Sequence, residues 1–435
     1  MDAARLPGTD GPDQVVAHVD MDCFYAACER RREPALEGEP LVVGMGYEAE
    51  ETHGAVATAS YEAREYGVES AMPISQALEA LPRKVDAARD PDADVEAAGF
   101  YRPVDMEFYE SVAEEVREII HDEADVVREV SIDEAYLDVT DHVGWDAVKS
   151  WAADLKTRIE SEVGVVASVG VAPTMSAAKV ASDREKPDGL VVVRPGTVRS
   201  FFEDLPVEDV HGVGPVTARE LGAMGVETAG DLAAADPEEL ERRFGERGRE
   251  IRRFARGDDE RQVTPRGNPK SLSRESAFTD ATDDADTIRR RVRTLAEAVA
   301  DRASRKDARY QTIGIKVVVP PYDINTRARS LPGPVDDPEL VESVALDLLG
   351  EFEGVAVRKA GVRVSNLDFS AGEQASLDGF DGVAAAGQET DADHPADAGQ
   401  PSLDAFSGGG ESSGDETADA GNRGPEGQTT LWEYV

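Results

Sequence analysis

The chain has 435 residues, more than one ordinary domain needs, so several domains are expected. Its 89 acidic and 46 basic residues give a formal net charge of −43, the opposite sign to the basic surfaces that usually bind phosphate backbones. Two interpretations stay open: the partners are not nucleic acids, or the protein works in a very salty cytoplasm, where a Debye length of about 3 Å screens long-range repulsion. Acids spread over the whole chain, and bases that are mostly arginine, favour a halophilic source.

The sequence contains two cysteines, Cys23 and Cys28, which form neither a disulfide framework nor a CxxC metal motif. Reduced thiols of this kind are typical of the cytosol. Residues 1–13 are polar and acidic, without the apolar core of a signal peptide. Since no apolar run approaches the roughly 20 residues that span a bilayer, we expect a cytoplasmic protein without a membrane partner.

Strands and helices alternate through the first half of the chain without a repeated βαβ period, which predicts a mixed α+β domain. Ser60 has the side chain of a helix N-cap, so a helix is expected to begin there. The predicted strands are 15–19, 41–44, 55–59, the hairpin 126–139 and 165–171. The predicted helices are 24–32, 60–66, 103–120, 145–163 and 176–184.

From residue 205 to 257 the pattern is entirely helical. Gly212 and Gly214 lie between two short helices, where glycine permits a tight hairpin that exposes backbone N–H groups at a helix N-terminus. Such a helix-hairpin-helix binds a DNA phosphate without reading sequence, so both glycines are candidate DNA-binding residues. An ordinary helical turn is the alternative. The charged segment 258–270, with proline and glycine, is predicted to be a linker.

A second α/β unit is predicted over 271–369. Its expected strands are 272–278, 311–319, 326–331 and 358–367, and its expected helices are 283–306 and 338–352. Arginines cluster in this unit. Those at 289–293 fit a solvated helix face as well as a phosphate contact. The strand-borne Arg327 and Arg329 are the better candidates for DNA-binding residues.

Residues 370–427 consist largely of Gly, Ala, Ser, Asp and Glu, so they are predicted to be a disordered acidic tail. Apolar residues return in 428–435. There, Gln428, Leu431 and Tyr434 resemble the peptide that docks on sliding clamps of the PCNA type, although Val435 stands where that peptide has a second aromatic residue. We therefore predict clamp binding by this segment; an apolar terminus without a partner is the alternative.

Two adjacent carboxylates, Asp133 and Glu134, interrupt an otherwise apolar strand, and burying such a pair is costly unless a cation lies nearby. If this strand pairs with the one that precedes Asp20, three carboxylates converge. Three converging carboxylates suit two Mg²⁺ ions about 3.5–4 Å apart, the pair that clamps a phosphoryl transfer. Met21 is expected to add only its backbone carbonyl. Asp22 is left out of the metal site, because strand alternation is taken to turn it away from Asp20.

Four ordered, separated motifs carry a resemblance to a known family. They are His18-Val19-Asp20-Met21-Asp22-Cys23-Phe24, Ala57-Thr58-Ala59-Ser60-Tyr61-Glu62-Ala63-Arg64, Ser131 through Asp138, and Ala178-Lys179 onward to Lys186-Pro187-Asp188-Gly189. With them, residues 14–369 resemble the Y-family DNA polymerases, closely the DNA polymerase IV (DinB) branch, and a halophilic archaeon is the expected source. The resemblance implies a multidomain α+β fold of the right-hand type. Its implied parts are a palm (1–23 and 90–194), small fingers (24–89), a helical thumb with the helix-hairpin-helix (195–257) and an α/β little finger (271–369).

The resemblance also implies a triphosphate site. Tyr61, Arg64 and Lys186 match the family's triphosphate-binding positions, with a planar guanidinium fork at Arg64 and a point charge at Lys186. The backbone at Phe24, where the first helix opens, offers N–H groups to the same phosphates. Lys179 fits the family motif too, but a surface lysine is the alternative.

Two further residues take their roles from the resemblance. Glu134 is the family's catalytic acidic residue and shares the metal site with Asp20 and Asp133. Tyr25 matches the position of the steric gate, a bulky ring beneath the deoxyribose that a 2′-hydroxyl would strike.

The implied reaction is template-directed addition of a dNTP to a primer 3′-OH with two Mg²⁺ ions as cofactors. Translesion synthesis of low fidelity, without a proofreading exonuclease, is the implied role. Primer–template DNA, dNTPs and the sliding clamp are the implied partners of a monomer. Two alternatives remain open. One is a nucleotidyl cyclase-like palm, which would need neither the glycine hairpin nor the arginine-rich unit, and the other is a catalytically inactive, clamp-bound DNA-binding scaffold of the same fold.

Overall fold

A computed structural model describes residues 14–48 and 54–370. They form two compact units, the first ending at Arg266 and the second beginning at Gly267. The predicted acidic tail beyond residue 370 and the predicted clamp-binding residues Gln428, Leu431 and Tyr434 lie outside the described residues. Among the described helices, none is long and apolar enough to cross a membrane.

Each helix and strand predicted between residues 14 and 192 has a counterpart in the structure, as do those of the second unit. The strands are β1 (Val16–Met21), β2 (Leu41–Gly44), β3 (Val56–Ala59), β4 (Phe100–Arg102), β5 (Val126–Glu129), β6 (Glu134–Asp138), β7 (Ala167–Ala172), β8 (Leu190–Val192), β9 (Ser271–Thr282), β10 (Arg309–Val319), β11 (Asp323–Val335) and β12 (Val357–Asp368). The α-helices are α1 (Phe24–Arg32), α2 (Tyr61–Glu65), α3 (Ile74–Ala80), α4 (Lys84–Ala87), α5 (Met106–Glu123), α6 (Val148–Val163), α7 (Met175–Asp183), α8 (Val198–Phe202), α9 (Pro215–Ala223), α10 (Ala229–Ala234), α11 (Pro237–Phe244), α12 (Glu246–Ala255), α13 (Ala285–Arg305) and α14 (Pro338–Leu349).

The first unit is built on a five-stranded sheet with the order β5-β6-β1-β7-β8. The central strand β1 is buried along its whole length and pairs antiparallel with both β6 and β7. Because side chains of a strand alternate between the two faces, Ala17 and Val19 enter the core formed with α5 and α6. Val16 and His18 face α7 instead. The register of β1 and β6 sets Asp20 directly opposite Glu134.

Helix α7 packs very close to this sheet, and Gly170 on β7 makes the approach possible. A Cβ added at Gly170 would lie 2.1 Å from the Ala178 carbonyl oxygen, so a larger residue would push the helix away. Thr174 caps α7 by accepting a hydrogen bond from the Ala177 N–H at 3.3 Å. These two features fix the position of α7, which places Lys179 beside the end of β1.

A separate three-stranded sheet, β3-β2-β4, forms the core of the predicted fingers. Ser60 caps α2 as predicted, since its hydroxyl accepts a hydrogen bond from the Ala63 N–H at 3.3 Å. Strand β4 was not predicted, and the palm was expected to resume at residue 90. Because β4 pairs in parallel with β2, the three-stranded sheet includes residues up to Arg102.

The helices α8 to α12 pack with α7 around a second core on the other face of the palm sheet. The predicted linker 258–270 contains neither helix nor strand, but its first half is packed against this core. Val263 is buried there, and the buried carboxylate of Asp259 accepts a hydrogen bond from the Ser176 N–H at 2.9 Å. The second unit is an antiparallel sheet, β11-β10-β12-β9, with α13 and α14 packed on one face.

Candidate active site

Sheet register brings the three predicted carboxylates together. Asp20 and Glu134 lie opposite each other on β1 and β6, and Asp133 immediately precedes β6. The Met21 N–H donates a hydrogen bond to the Asp133 carbonyl oxygen at 2.9 Å, so strand pairing continues past Glu134. Asp20 is buried, and the other two are half-buried. The trio therefore occupies one end of two neighbouring strands.

Two lysines form ion pairs with Asp20 and Glu134. The Lys179 ammonium lies 2.8 Å from Asp20 Oδ2 and 2.9 Å from Glu134 Oε1, and 20% of its side chain is exposed. Lys186, which follows α7, lies 2.6 Å from Asp20 Oδ1. Asp183 contacts both ammonium groups from the same helix, at 3.4 and 3.0 Å. Lys179 is thus part of the site and not an ordinary surface lysine.

Burial and neighbouring charges give the adjacent acids opposite pKa shifts. Burial raises the pKa of Asp133 to about 6; a hydrogen bond from Ser131 Oγ, at 2.5 Å, opposes this, and the nearby carboxylates add to it. Burial also disfavours ionised Glu134, but His18 and Lys179 outweigh it and hold the Glu134 pKa below its usual range. Asp133 is therefore the acid whose charge is least compensated by the protein.

His18 lies behind Glu134 and was not proposed as a site residue from the sequence. Its Nδ1 is 2.9 Å from Ser182 Oγ, whereas its buried Nε2 makes no hydrogen bond within the described chain and lies 3.8 Å from Glu134 Oε2. Burial lowers the pKa of His18, and the neighbouring Glu134 opposes that shift. The available signal was strand alternation, because His18 and Asp20 are two residues apart and share a face.

The donor chemistry of the trio fits a hard divalent cation. Carboxylate oxygens are preferred ligands of such ions, and two ammonium groups already supply positive charge to Asp20 and Glu134. No three His, Cys, Asp or Glu side chains of residues 14–48 and 54–370 are arranged to enclose a metal ion in this structure. A metal ion and the Lys179 ammonium would therefore compete for the same carboxylates.

The predicted triphosphate residues lie near the end of β1 that carries Asp20. Tyr61 and Arg64 share α2, where the Arg64 guanidinium lies 4.8 Å from the centre of the Tyr61 ring. Lys186 lies beside the five-stranded sheet, where its ammonium forms an ion pair with Asp20. Phe24 opens α1 with its side chain buried, and the preceding Cys23 offers no side-chain cap. The first N–H groups of α1 are therefore available to an external acceptor.

Asp22 has its own set of hydrogen-bond donors, different from the lysines at Asp20. Strand alternation does not turn Asp22 away from Asp20, contrary to the expectation, because residues two apart on a strand share a face. The physical cause of the separation is that β1 ends at Met21 and the chain then turns at Cys23, whose φ is 46°. The Asp22 carboxylate accepts hydrogen bonds from the Ser168 hydroxyl, the Asp188 N–H and the Tyr61 hydroxyl.

Tyr25 lies on the first turn of α1 and stacks on Tyr109 of α5, with ring centres 4.7 Å apart and planes within 16°. The Tyr109 hydroxyl in turn donates to the buried Glu29 carboxylate at 2.8 Å. Burial, followed by the charge of Asp133, raises the pKa of Tyr25 to about 12, so its hydroxyl stays neutral. The ring of the predicted steric gate is thus half-buried, and its stack on Tyr109 holds it in place.

The predicted helix-hairpin-helix has the expected backbone features. Gly212 has a φ of +87°, and Gly214 is the N-cap of α9 without a side chain to occupy its first N–H groups. Arg247 donates to the Gly212 carbonyl oxygen at 2.7 Å. A cleft of about 380 Å³ runs between this hairpin and α7, lined by residues that include Lys179 and His211.

The predicted DNA contacts Arg327 and Arg329 lie on the helix-covered side of the second sheet. They pair in register with the core residues Ile315 and Ile313, so they share the face on which α14 packs. Arg327 lies 2.6 Å from Glu351, and Arg329 forms an ion pair with Asp347. The opposite face carries Lys316 and Arg363 among small polar residues, including Thr312, Ser365 and Ser273.

Comparisons with known families and proteins agree with this architecture. The model of the impB/mucB/samB family matches residues 19–183, the C-terminal domain of that family matches 269–377, and the helix-hairpin-helix motif of the same family matches 195–226. DNA polymerase IV of Halobacterium salinarum is 65% identical over 87% of this chain and 91% of its own length. DNA polymerase IV of Methanoculleus marisnigri is 40% identical over 84% of this chain and 98% of its own length.

Solved structures give the same result. A Y-family DNA polymerase chimera of Dbh and Dpo4 has a TM-score of 0.70 and 28% identity, covering 82% of this chain and 100% of the chimera. An insertion ternary complex of Dbh DNA polymerase has a TM-score of 0.59 and 26% identity over 82% of this chain and 100% of its own.

The fold and these matches together define a polymerase built on a palm sheet. The chain belongs to the Y family of DNA polymerases, in its DNA polymerase IV branch. The predicted α+β polymerase fold and DNA-directed DNA polymerase activity of the translesion class are confirmed by these matches, and the inactive scaffold finds no support in them. Membership of the family also implies that catalysis depends on a divalent metal.

Proposed function

We propose that Asp20, Asp133 and Glu134, with the Met21 backbone carbonyl, hold two Mg²⁺ ions and that Glu134 is the catalytic carboxylate. When bound, the ions would activate the primer 3′-OH and stabilise the leaving pyrophosphate. The observation that carries this proposal is the register of β1 and β6, which sets Asp20 opposite Glu134. The burial of Asp133, whose pKa is raised to about 6, supports it, because a cation would relieve the cost of its charge.

The groups around the trio are suited to a nucleoside triphosphate. Tyr61, Arg64, Lys186 and the α1 N-terminus at Phe24 would hold its phosphates, because guanidinium, ammonium and helix N–H groups all favour polyanions. Tyr25, supported by its stack on a second tyrosine, would exclude a 2′-hydroxyl by collision.

Primer–template DNA is the proposed macromolecular partner. The N–H groups at Gly212 and Gly214 would bind a backbone phosphate, and the cleft beside them leads to Lys179. In the second unit, the open sheet face favours Arg363 as a backbone contact over Arg327 and Arg329, whose charges are already paired. Low fidelity without proofreading, clamp binding through 428–435 and a monomeric state complete the proposal.

Primer extension by a single nucleotide tests this assignment. The assay uses Mg²⁺ and about molar KCl, where charge repulsion is screened. Glu134→Gln is expected to slow incorporation at least about a hundredfold. Asp138→Asn, which changes another acid of β6 whose partners are Gln14 and Thr140, serves as the control and should keep wild-type activity. Wild-type rates in Glu134→Gln would contradict the proposed site.

A further inference from the structure

Asp22 carries a buried carboxylate that the metal site does not use. Its side chain lies at 6% exposure and accepts hydrogen bonds from three groups. Oδ2 accepts from Ser168 Oγ and from the Asp188 N–H, both at 2.8 Å, and Oδ1 accepts from the Tyr61 hydroxyl at 3.3 Å. These donors belong to β7, to the turn before β8 and to α2, so one carboxylate joins three separate segments.

Two of these segments carry the triphosphate residues. Ser168 Oγ also accepts from the Gly189 N–H at 3.0 Å, so Asp22 and Ser168 together satisfy two consecutive N–H groups of the turn that follows Lys186. On the other side, Tyr61 stands beneath the guanidinium of Arg64. The carboxylate of Asp22 is thus directly bonded to both halves of the proposed phosphate site.

We propose that Asp22 is the positioning residue of the triphosphate site: it holds Tyr61 of the fingers and the turn after Lys186 of the palm in one fixed arrangement. The inference rests on the proposed phosphate-binding roles of Tyr61, Arg64 and Lys186. Asp22 itself is assigned no contact with metal or phosphate. Its effect is to keep the phosphate-binding groups in place before the nucleotide arrives, which lowers the cost of binding.

An amide in place of this carboxylate weakens the bonds to all three groups. Asn has a single acceptor oxygen, so if that oxygen keeps Ser168 and the Asp188 N–H, its NH₂ group faces the Tyr61 hydroxyl, which must then accept instead of donate. The negative charge that strengthens these hydrogen bonds is lost as well, so both segments are held less firmly. Asp22→Asn therefore perturbs the arrangement while nearly keeping the volume of the side chain.

Steady-state incorporation kinetics test the inference, with wild type, Asp22→Asn and the control Asp138→Asn compared in parallel. For Asp22→Asn we expect the KM for dNTP to rise about tenfold, while kcat changes by less than about threefold and primer–template affinity is unchanged. Inhibition by pyrophosphate should weaken by a similar factor, because this probe reports the phosphate contacts without base or sugar. Asp138→Asn should match the wild type in all four quantities.

A second variant keeps the inference testable if Asp22→Asn fails to fold. Ser168→Ala leaves the carboxylate but removes the hydroxyl that holds Gly189, so a smaller rise in KM, with the same weakening of pyrophosphate inhibition, is expected. Unchanged KM and pyrophosphate inhibition in a folded Asp22→Asn, or in Ser168→Ala, would overturn the inference and leave the polymerase assignment intact. A parallel loss of kcat and DNA affinity would also overturn the inference, because it would show that the substitution damages the whole domain and not the phosphate site alone. A wild type without incorporation would instead overturn the proposed function, and this inference with it.

Discussion

Removing the Lys179 ammonium tests whether this lysine and the metal serve the same carboxylates. Lys179→Met keeps the length of the side chain and removes its charge. Glu134 then loses the cation at 2.9 Å, whereas Asp20 keeps Lys186 at 2.6 Å. Without metal, Glu134 becomes a half-buried carboxylate facing Asp20, and the repulsion between the two carboxylates destabilises the fold.

The size of the effect follows from the geometry. Breaking a buried ion pair by removing one partner costs about 3–5 kcal/mol. Because the side chains of Lys179 and Glu134 are 20% and 26% exposed, and because Asp20 keeps a second lysine, the lower end of about 3 kcal/mol applies. At roughly 2–4 °C per kcal/mol for a unit of this size, the Tm of the metal-free protein should fall by about 6–12 °C.

Thermal unfolding with and without Mg²⁺ measures this effect. Mg²⁺ should recover most of the lost Tm in Lys179→Met, because the ion replaces the missing charge, and it should raise the wild-type Tm much less. Lys84→Met is the matched control: Lys84 has an 18% exposed side chain and pairs with the single acid Glu39 at 2.6 Å, far from the trio in sequence. Its Tm deficit should not respond to Mg²⁺. Equal Mg²⁺ responses in the two variants would refute competition between lysine and metal.

Three further predictions concern the gate, the hairpin and the chain end. Tyr25→Ala should raise ribonucleotide incorporation about tenfold or more relative to dNTP, and unchanged sugar selectivity would contradict the gate. Burial lowers the pKa of His211 from 6.5 to about 4. As the pH falls, His211 is therefore protonated in the unfolded chain before it is protonated in the folded protein, and the free energy of unfolding should fall by about 2 kcal/mol between pH 7.5 and 5. His211→Gln should remove that part of the pH dependence in chemical denaturation. Deleting 428–435 should leave distributive synthesis nearly intact and abolish stimulation by a sliding clamp; equal stimulation of the shortened chain would refute the docking peptide.

Periodicity predicted the long elements of the fold well because their apolar positions are dictated by burial. The stripe of α5, with Tyr109, Val112 and Val116 buried, is visible as a helical repeat in the sequence. Strands β4 and β8 were missed because each has only three residues, too few to show a period. Their existence depends on pairing with β2 and β7, which is tertiary information.

The carboxylate trio could be predicted because two acids inside an apolar strand are rare without a cationic partner. The position of Lys179 could not, since it depends on how closely α7 packs on Gly170 and on the pairing of β7 with the distant strand β1. Arg327 and Arg329 illustrate a second limit of prediction from sequence. Alternation places both on one face of β11, but only the tertiary position of Asp347 and Glu351 decides that their charges are paired.

The acidic surface should make DNA binding by this polymerase depend weakly on salt. A net charge of −43 opposes approach to DNA at low ionic strength, and near molar salt the Debye length of about 3 Å removes that repulsion. Many arginines are already paired with acids, as Arg327 and Arg329 are, so few counterions are released per bound phosphate. Primer–template affinity, measured by fluorescence anisotropy across KCl concentrations, is expected to stay level or rise toward molar salt. A steep linear fall of log affinity with log salt would show instead that a basic groove dominates binding.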